Sequence, residues 1–231
     1  MNPIQIQLKN IHKIYKKGEI FVEALKGINL EIKKGEFIVI MGPSGSGKTT
    51  LLNIIGCIDT PTNGDVIYNG VNLRNLNDNQ LAEYRKQNIG FIFQSYNLIP
   101  VLTVKENIEL PLTIEKKLSK KDRENRVLEV IKEVGLTSTE NRFPKELSGG
   151  QEQRVAIARA LVKKPILVLA DEPTANLDTQ TALEIIELMR KMNEVQNTTF
   201  IFSTHDQRLV NFAKRIIILK DGQVFSDEIK I

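Results

Sequence analysis

The sequence predicts an α/β fold: a mainly parallel sheet, with an antiparallel β subdomain on one side and an inserted α-helical subdomain. Three observations carry this. The first is a set of short, almost unbroken apolar runs at 36–41, 166–170, 199–203 and 215–219, as expected of strands buried on both faces of a parallel sheet. The second is the helical spacing between them: Leu51, Leu52, Ile54 and Ile55, then 155–161 and 183–192. Alternation of strand and helix implies an α/β core. The third is a pair of hairpin signals, Asn69-Gly70 within 66–71 and Asp221-Gly222 within 219–224. Both dipeptides favour the positive φ that tight antiparallel turns need.

The middle of the chain differs. Nine of the twelve residues from 115 to 126 are charged. Ser119 and Asp122 fit a capping-box pattern ahead of Val127, Leu128, Ile131 and Val134, which share one helical face. The chain therefore divides into an α/β core with its β subdomain (1–97 and 147–231) and a mainly helical insert (98–146), all within one domain spanning 1–231.

Length and composition narrow the class. The chain has 231 residues and 41% hydrophobic content, enough for one sizeable core. No apolar run approaches the roughly 18 residues that a bilayer requires, and the N-terminus does not read as a signal peptide. A lone cysteine, Cys57, excludes an internal disulfide framework and fits a reducing compartment; it reads as a small core hydrophobe. The net charge of +4 is spread over 32 basic and 28 acidic residues. No basic block stands out, so nucleic acid is not expected as a partner.

The chemistry begins at Gly42-Pro43-Ser44-Gly45-Ser46-Gly47-Lys48-Thr49, a G-x-x-x-x-G-K-[ST] loop between a strand and a helix. Its glycines let backbone N–H groups turn inward around an anion, and the helix adds unpaired N–H groups and a positive dipole end. Lys48 supplies a cation for the β- and γ-phosphates and Thr49 a hydroxyl for magnesium. The bland alternative is a glycine-rich structural turn; the strand before and the helix after weigh against it. A second buried run, 166–170, ends in Asp171 and Glu172. Asp171 suits magnesium through its water shell, and Glu172 suits a general base on water. The alternative is an acidic helix start before Pro173.

A second anion site lies at Leu147-Ser148-Gly149-Gly150-Gln151: a Ser cap, two glycines and a helix N-terminus. One nucleotide rarely needs two such sites from one chain, whereas two molecules facing each other would use both.

With these motifs in hand, the sequence resembles the ATP-binding subunits of ABC transporters over almost its whole length. Residues 147–151 resemble the ABC signature, Asp171-Glu172 the Walker B aspartate and catalytic glutamate, and 175–178 the D-loop ending in Asp178. Gln94 is similar to the Q-loop glutamine, His205 to the switch histidine and Tyr15 to the adenine-stacking aromatic. Alone, each of these three has an ordinary structural reading: a polar strand exit, a hydrogen-bonded histidine and a loop aromatic. Ala175 and Asn176 depart from the family's usual Ser-Ala, and Glu152 stands where Gln is common.

The resemblance implies an ATPase with ATP and Mg²⁺ as ligands. ATP would be held by Tyr15, Gly42, Ser44, Gly45, Ser46, Gly47, Lys48, Thr49, Thr50, Gln94 and His205. Ser148, Gly149, Gly150, Gln151 and Asp178 of a second copy would meet it from the other side in an ATP-dependent homodimer. Glu172, His205, Gln94 and Lys48 would carry catalysis, and Thr49, Gln94 and Asp171 would hold the metal. Integral membrane permease subunits would be partners, placing the protein peripherally on the cytoplasmic face of the cell membrane. Residues 22–26, 53–59 and 93–100 resemble one branch, comprising lipoprotein-release ATPases, macrolide and peptide exporters, and a cell-division ATPase. That branch implies export or extraction of a lipoprotein, peptide or drug-like substrate. The alternative is a non-transporting signalling complex of the cell-division type. Soluble DNA-repair and translation relatives are disfavoured by the lack of long heptad segments and of a second cassette.

Overall fold

The computed structural model describes residues 3–114 and 118–230. Part of the charged segment 115–126, residues 115–117, lies outside them.

Two sheets form the core. Strands β1 (Ile4–Lys17), β2 (Ile20–Lys33), β4 (Asn63–Tyr68) and β5 (Val71–Asn72) build an antiparallel sheet in the order β2-β1-β4-β5. Strands β3 (Phe37–Met41), β6 (Ile89–Ile92), β7 (Leu167–Asp171), β8 (Thr199–Ser203), β9 (Arg215–Lys220) and β10 (Gln223–Ile229) build the other, in the order β10-β9-β3-β8-β7-β6. All its neighbours are parallel except β10, which runs antiparallel to β9 along one edge.

The Asn69-Gly70 turn joins β4 to β5 in the antiparallel sheet, as its sequence implies. The Asp221-Gly222 turn also makes an antiparallel pair, but its strands extend the parallel sheet instead. A tight turn specifies only the two strands it connects.

The apolar strands serve two cores at once, because side chains alternate across a strand. Phe37, Val39, Val168, Ala170, Phe200 and Phe202 face one cluster with the helices α3, α4, α5 and α6; Ile38, Ile40, Leu167, Leu169 and Ile201 face the other, with α1 and the antiparallel sheet. These helices are α1 (Lys48–Ile55), α3 (Val104–Thr113), α4 (Lys120–Glu133), α5 (Gly149–Leu161) and α6 (Thr179–Gln196); α2 (Asp78–Asn88) and α7 (Gln207–Phe212) complete the set. The Phe37 and Phe202 rings lie 4.6 Å apart.

The helical segment shares the first of these cores. Val104, Ile108 and Leu112 of α3 and Val127, Val130 and Ile131 of α4 pack into the cluster that also holds Val155 and Ile157 of α5. Leu128, read from spacing as part of the buried stripe, is 43% exposed; Val130 takes the inward position. Ser119 caps α4 by accepting from the Asp122 N–H.

Two polar ties lock the layers together. Buried Gln5 of β1 donates to the Ile166 carbonyl and accepts from the Thr199 hydroxyl, joining the antiparallel sheet to β8 and the entry of β7. Arg215 donates to Asp227, Glu36 and the Glu31 carbonyl, fastening β9 to β10 and to β2.

Candidate nucleotide site

β3 stops at Met41 and α1 starts at Lys48, and residues 42–47 bridge them as a loop. Two of its glycines are forced by space as well as by backbone angle. Gly42 has φ 151°, and a Cβ there would sit 2.2 Å from the Leu219 carbonyl oxygen; at Gly47, φ 101°, it would sit 2.7 Å from the Ala24 carbonyl oxygen. The loop is thus pressed between the end of β9 and the edge strand β2 of the antiparallel sheet. The Asp221-Gly222 turn closes it: the Gly222 N–H donates to the Ser46 carbonyl, and the Lys26 N–H donates to the Gly222 carbonyl. No side chain caps α1, so its first N–H groups remain open to an anion. The Lys48 ammonium donates to the Gly42 and Pro43 carbonyls at 2.7 and 2.9 Å, which folds the cation back over the loop.

A cleft of about 680 Å³ opens above this loop. Gly42, Ser44, Gly45, Gly47, Lys48, Thr49 and Thr50 line one side; Gln94, Asp171, Glu172 and His205 line the other, from the ends of β6, β7 and β8. Ligand clefts outside the carboxyl ends of parallel strands are the general rule for open α/β sheets. Ser46 lies beneath the loop, 2% exposed, and does not line the cleft.

Glu172 adopts φ 45°, a left-handed conformation uncommon for a residue with a side chain. Three contacts hold it. Its N–H donates to the Ser203 carbonyl at 2.8 Å, Oε2 accepts from the Thr204 hydroxyl at 2.8 Å, and Oε1 lies 2.6 Å from His205 Nδ1. An ionised carboxylate only accepts, so Nδ1 carries the hydrogen, and Nε2 is left for a ligand. The His205 side chain is 82% exposed and the Glu172 side chain 18%, placing the imidazole outermost.

Tyr15 of β1 does not itself line the cleft; it pairs with Val22 of β2, which does. Its hydroxyl donates to Asp59 Oδ2 at 2.8 Å, and the Lys13 ammonium stands 5.0 Å from its ring centre. Burial, assisted by the Asp59 carboxylate, raises the phenol pKa above its ordinary value. Burial alone would raise Asp59 as well, but the bonds from Lys13 and Tyr15 outweigh it and hold the carboxyl below its ordinary range. Cys57, beyond the end of α1, is buried, and burial pushes its thiol up to about 12; it is a core residue, as its solitude in the sequence implied.

Ser148, Gly149, Gly150, Gln151 and Asp178 do not line this cleft. Ser148 caps α5 in a reciprocal box: its hydroxyl accepts from the Gln151 N–H, and the Gln151 side chain accepts from the Ser148 N–H. The Gly149 and Gly150 N–H groups stay at the open end of the helix. Asp178 caps α6 by accepting from the Thr181 N–H, and hydrogen bonds from the Thr181 side chain and backbone hold its carboxyl below the ordinary range.

Further along α5, two side chains reach loops beside the cleft. Buried Gln153 donates to the carbonyl of Pro173, next to Glu172, at 2.7 Å. Arg159 donates to the Tyr96 and Asn97 carbonyls at 2.6 Å each, bracing the turn after Gln94. Asn176, the unusual D-loop residue, donates to the Gln94 carbonyl at 3.0 Å. Thr204, Gln153 and Arg159 escaped the sequence reading because nothing local marks them; each partner lies 20 or more residues away.

A glycine loop between strand and helix, faced by the acidic end of a neighbouring strand, defines a P-loop nucleotide-binding core. Comparison with known proteins narrows the class. The family model described as ABC transporter matches residues 25–175. The ABC transporter ATP-binding protein MJ0796 of Methanocaldococcus jannaschii is 50% identical over 229 residues, covering 96% of each chain. The lipoprotein-releasing system ATP-binding protein LolD of Legionella pneumophila is 42% identical over 228 residues, covering 99% of this chain and all of that one. A solved dimeric structure of MJ0796 in a post-hydrolysis state with ADP and Pi superposes with TM-score 0.88 at 49% identity, covering 97% of this chain and 98% of that one. The chain belongs to the ABC transporter family, as an ATP-binding subunit.

Proposed function

We propose that this subunit hydrolyses ATP between two head-to-tail copies of itself and thereby drives a partner permease that exports or extracts its substrate. The observation that carries the reading is the separation of the two anion sites. The loop 42–49 lines the cleft, and the signature residues 148–151 at the start of α5 do not. A twofold dimer brings each against the other's partner, and the dimeric MJ0796 structures support that arrangement.

In this reading the phosphates lie on the 42–49 loop and the open end of α1, with Lys48 leaving the Gly42 and Pro43 carbonyls for the β- and γ-phosphates. Thr49 and Asp171 present a hydroxyl and a carboxylate to the same cleft, a hard-oxygen pair that suits Mg²⁺; when bound, the ion neutralises developing phosphate charge. Glu172 accepts the proton of the attacking water, Gln94 orients that water, and His205 Nε2 contacts the γ-phosphate. Tyr15 stacks on adenine. From the second copy, Ser148, Gly149, Gly150 and Gln151 engage the γ-phosphate, with Asp178 beside them.

For the permease we propose the groove of about 310 Å³ where Ile99, Leu110 and Pro111 of the 98–146 segment face Phe91, Phe93 and Ala160 of the core. Its apolar lining suits a short amphipathic helix. Among the described residues no helix is long and apolar enough to cross a membrane. The relative named for lipoprotein release supports an acylated or otherwise amphiphilic substrate.

The test is Glu172→Gln. Hydrolysis falls at least about 100-fold, while ATP, and not ADP, converts monomer to dimer on gel filtration. A variant that never dimerises with ATP overturns the reading.

A further inference from the structure

The candidate base platform, Tyr15, is held by a charged network that the nucleotide reading leaves unexplained. Asp59 lies four residues beyond α1, the helix that opens at the phosphate loop. Its Oδ2 accepts from the Tyr15 hydroxyl at 2.8 Å, and its Oδ1 accepts from the Lys13 ammonium at 2.6 Å and from the Thr60 N–H at 2.7 Å. Lys13 also donates to the Thr60 carbonyl at 2.7 Å and stands over the Tyr15 ring. The Lys13 side chain is only 12% exposed. A lysine this sheltered holds one geometry, unlike a solvated surface pair.

We infer that Asp59 and Lys13 are positioning residues for nucleotide binding: they fix the Tyr15 ring as a preformed platform for the base. The physical case is one of reach and entropy. Tyr15 is near the end of a long hairpin whose tip, Ile20 and Phe21, is two-thirds exposed, and an unsupported aromatic there would sample several rotamers. Anchoring its hydroxyl to Asp59 removes that freedom before the ligand arrives, so less ordering is left to occur on binding. Because Asp59 follows α1, the same carboxylate sets the distance between the base platform and the phosphate loop. Lys13 keeps Asp59 ionised, and its cation occupies one region of the ring surface, leaving the remainder for a stacked base.

This rests on the reading of Tyr15 as the adenine contact, and a double-mutant cycle separates the two ideas. ADP affinity is measured by calorimetry for the full chain and for Tyr15→Phe, Tyr15→Ala, Asp59→Ala and Tyr15→Ala/Asp59→Ala. Loss of the anchor weakens ADP about fivefold in Asp59→Ala and about threefold in Tyr15→Phe, within the net worth of one hydrogen bond. In the Tyr15→Ala background, Asp59→Ala has no further effect. Tyr15→Phe retains the ring and every contact of Asp59 with Lys13 and Thr60, so it remains informative even if Asp59→Ala folds poorly. An equal loss from Asp59→Ala with and without Tyr15 means that Asp59 acts through α1 and overturns the inference alone. An unchanged Tyr15→Ala overturns the platform reading and the inference together.

Discussion

Glu172 Oε1 and His205 Nδ1 meet at 2.6 Å across the ends of two adjacent parallel strands, β7 and β8. In the proposed mechanism the contact joins the general base to the side chain that reaches the γ-phosphate. It also holds Glu172 in a backbone conformation that it would otherwise avoid.

Removing the imidazole therefore disturbs both the carboxylate and the ligand contact. His205→Ala lowers steady-state phosphate release about 100-fold. Thr204→Val deletes the second support of Glu172, together with the acceptor of the Asp206 N–H, and costs about tenfold. Thr204→Ser, which keeps the hydroxyl, restores the rate.

A side chain at Gly47 has nowhere to go. Gly47→Ala sets a methyl 2.7 Å from the Ala24 carbonyl oxygen at a φ that alanine resists. The variant loses nucleotide binding, read as loss of the ATP-induced rise in Tm that ligation gives the parent. Gly45→Ala has open space around its Cβ and retains part of that rise, although its φ of 77° still carries strain.

Arg159 braces the turn after Gln94 through two carbonyls that its loss would leave without their donor. Arg159→Met keeps the apolar stem and lowers unfolding free energy by about 2 kcal/mol, measured by urea titration. ATP turnover falls more steeply than ATP affinity, because the residue acts on the position of Gln94 and not on the phosphates.

Acid sensitivity follows from Asp206. Burial would raise its pKa, but bonds from Arg208 and Thr174 outweigh that and hold it below its ordinary 3.8. A carboxyl depressed in the folded state contributes stability that is complete above its unfolded pKa and lost as pH falls through the folded one. Asp206→Asn thus narrows the stability gap between parent and variant as pH drops below about 4, in urea titrations across pH 2–6.

The nucleotide loop was legible because its chemistry needs contiguous residues, and the four inner strands because burial on both faces leaves no polar interruption. The long strands β1 and β2 were not read from the sequence. Register shifts between Leu8 and Ile11 and between Lys13 and Ile14, with Asn10 at φ 51°, break the period-two pattern. Helix α2 buries only Leu81, so it has no apolar stripe to find. Pairings such as Lys13 with Asp59 or Gln153 with Pro173 exist only once the chain has folded.

The placement of β3 fixes when the phosphate cradle can exist during synthesis. Its neighbours in the sheet are β8 and β9, and the loop that follows it is closed by Gly222. A ribosome-bound chain that has made residues 1–190 owns the whole 42–49 motif but lacks both sheet neighbours of β3 and the turn that closes the loop. Nucleotide capture therefore waits until β8, β9 and the Gly222 turn have been made, and a half-made subunit has no closed cradle with which to bind ATP or engage a second copy.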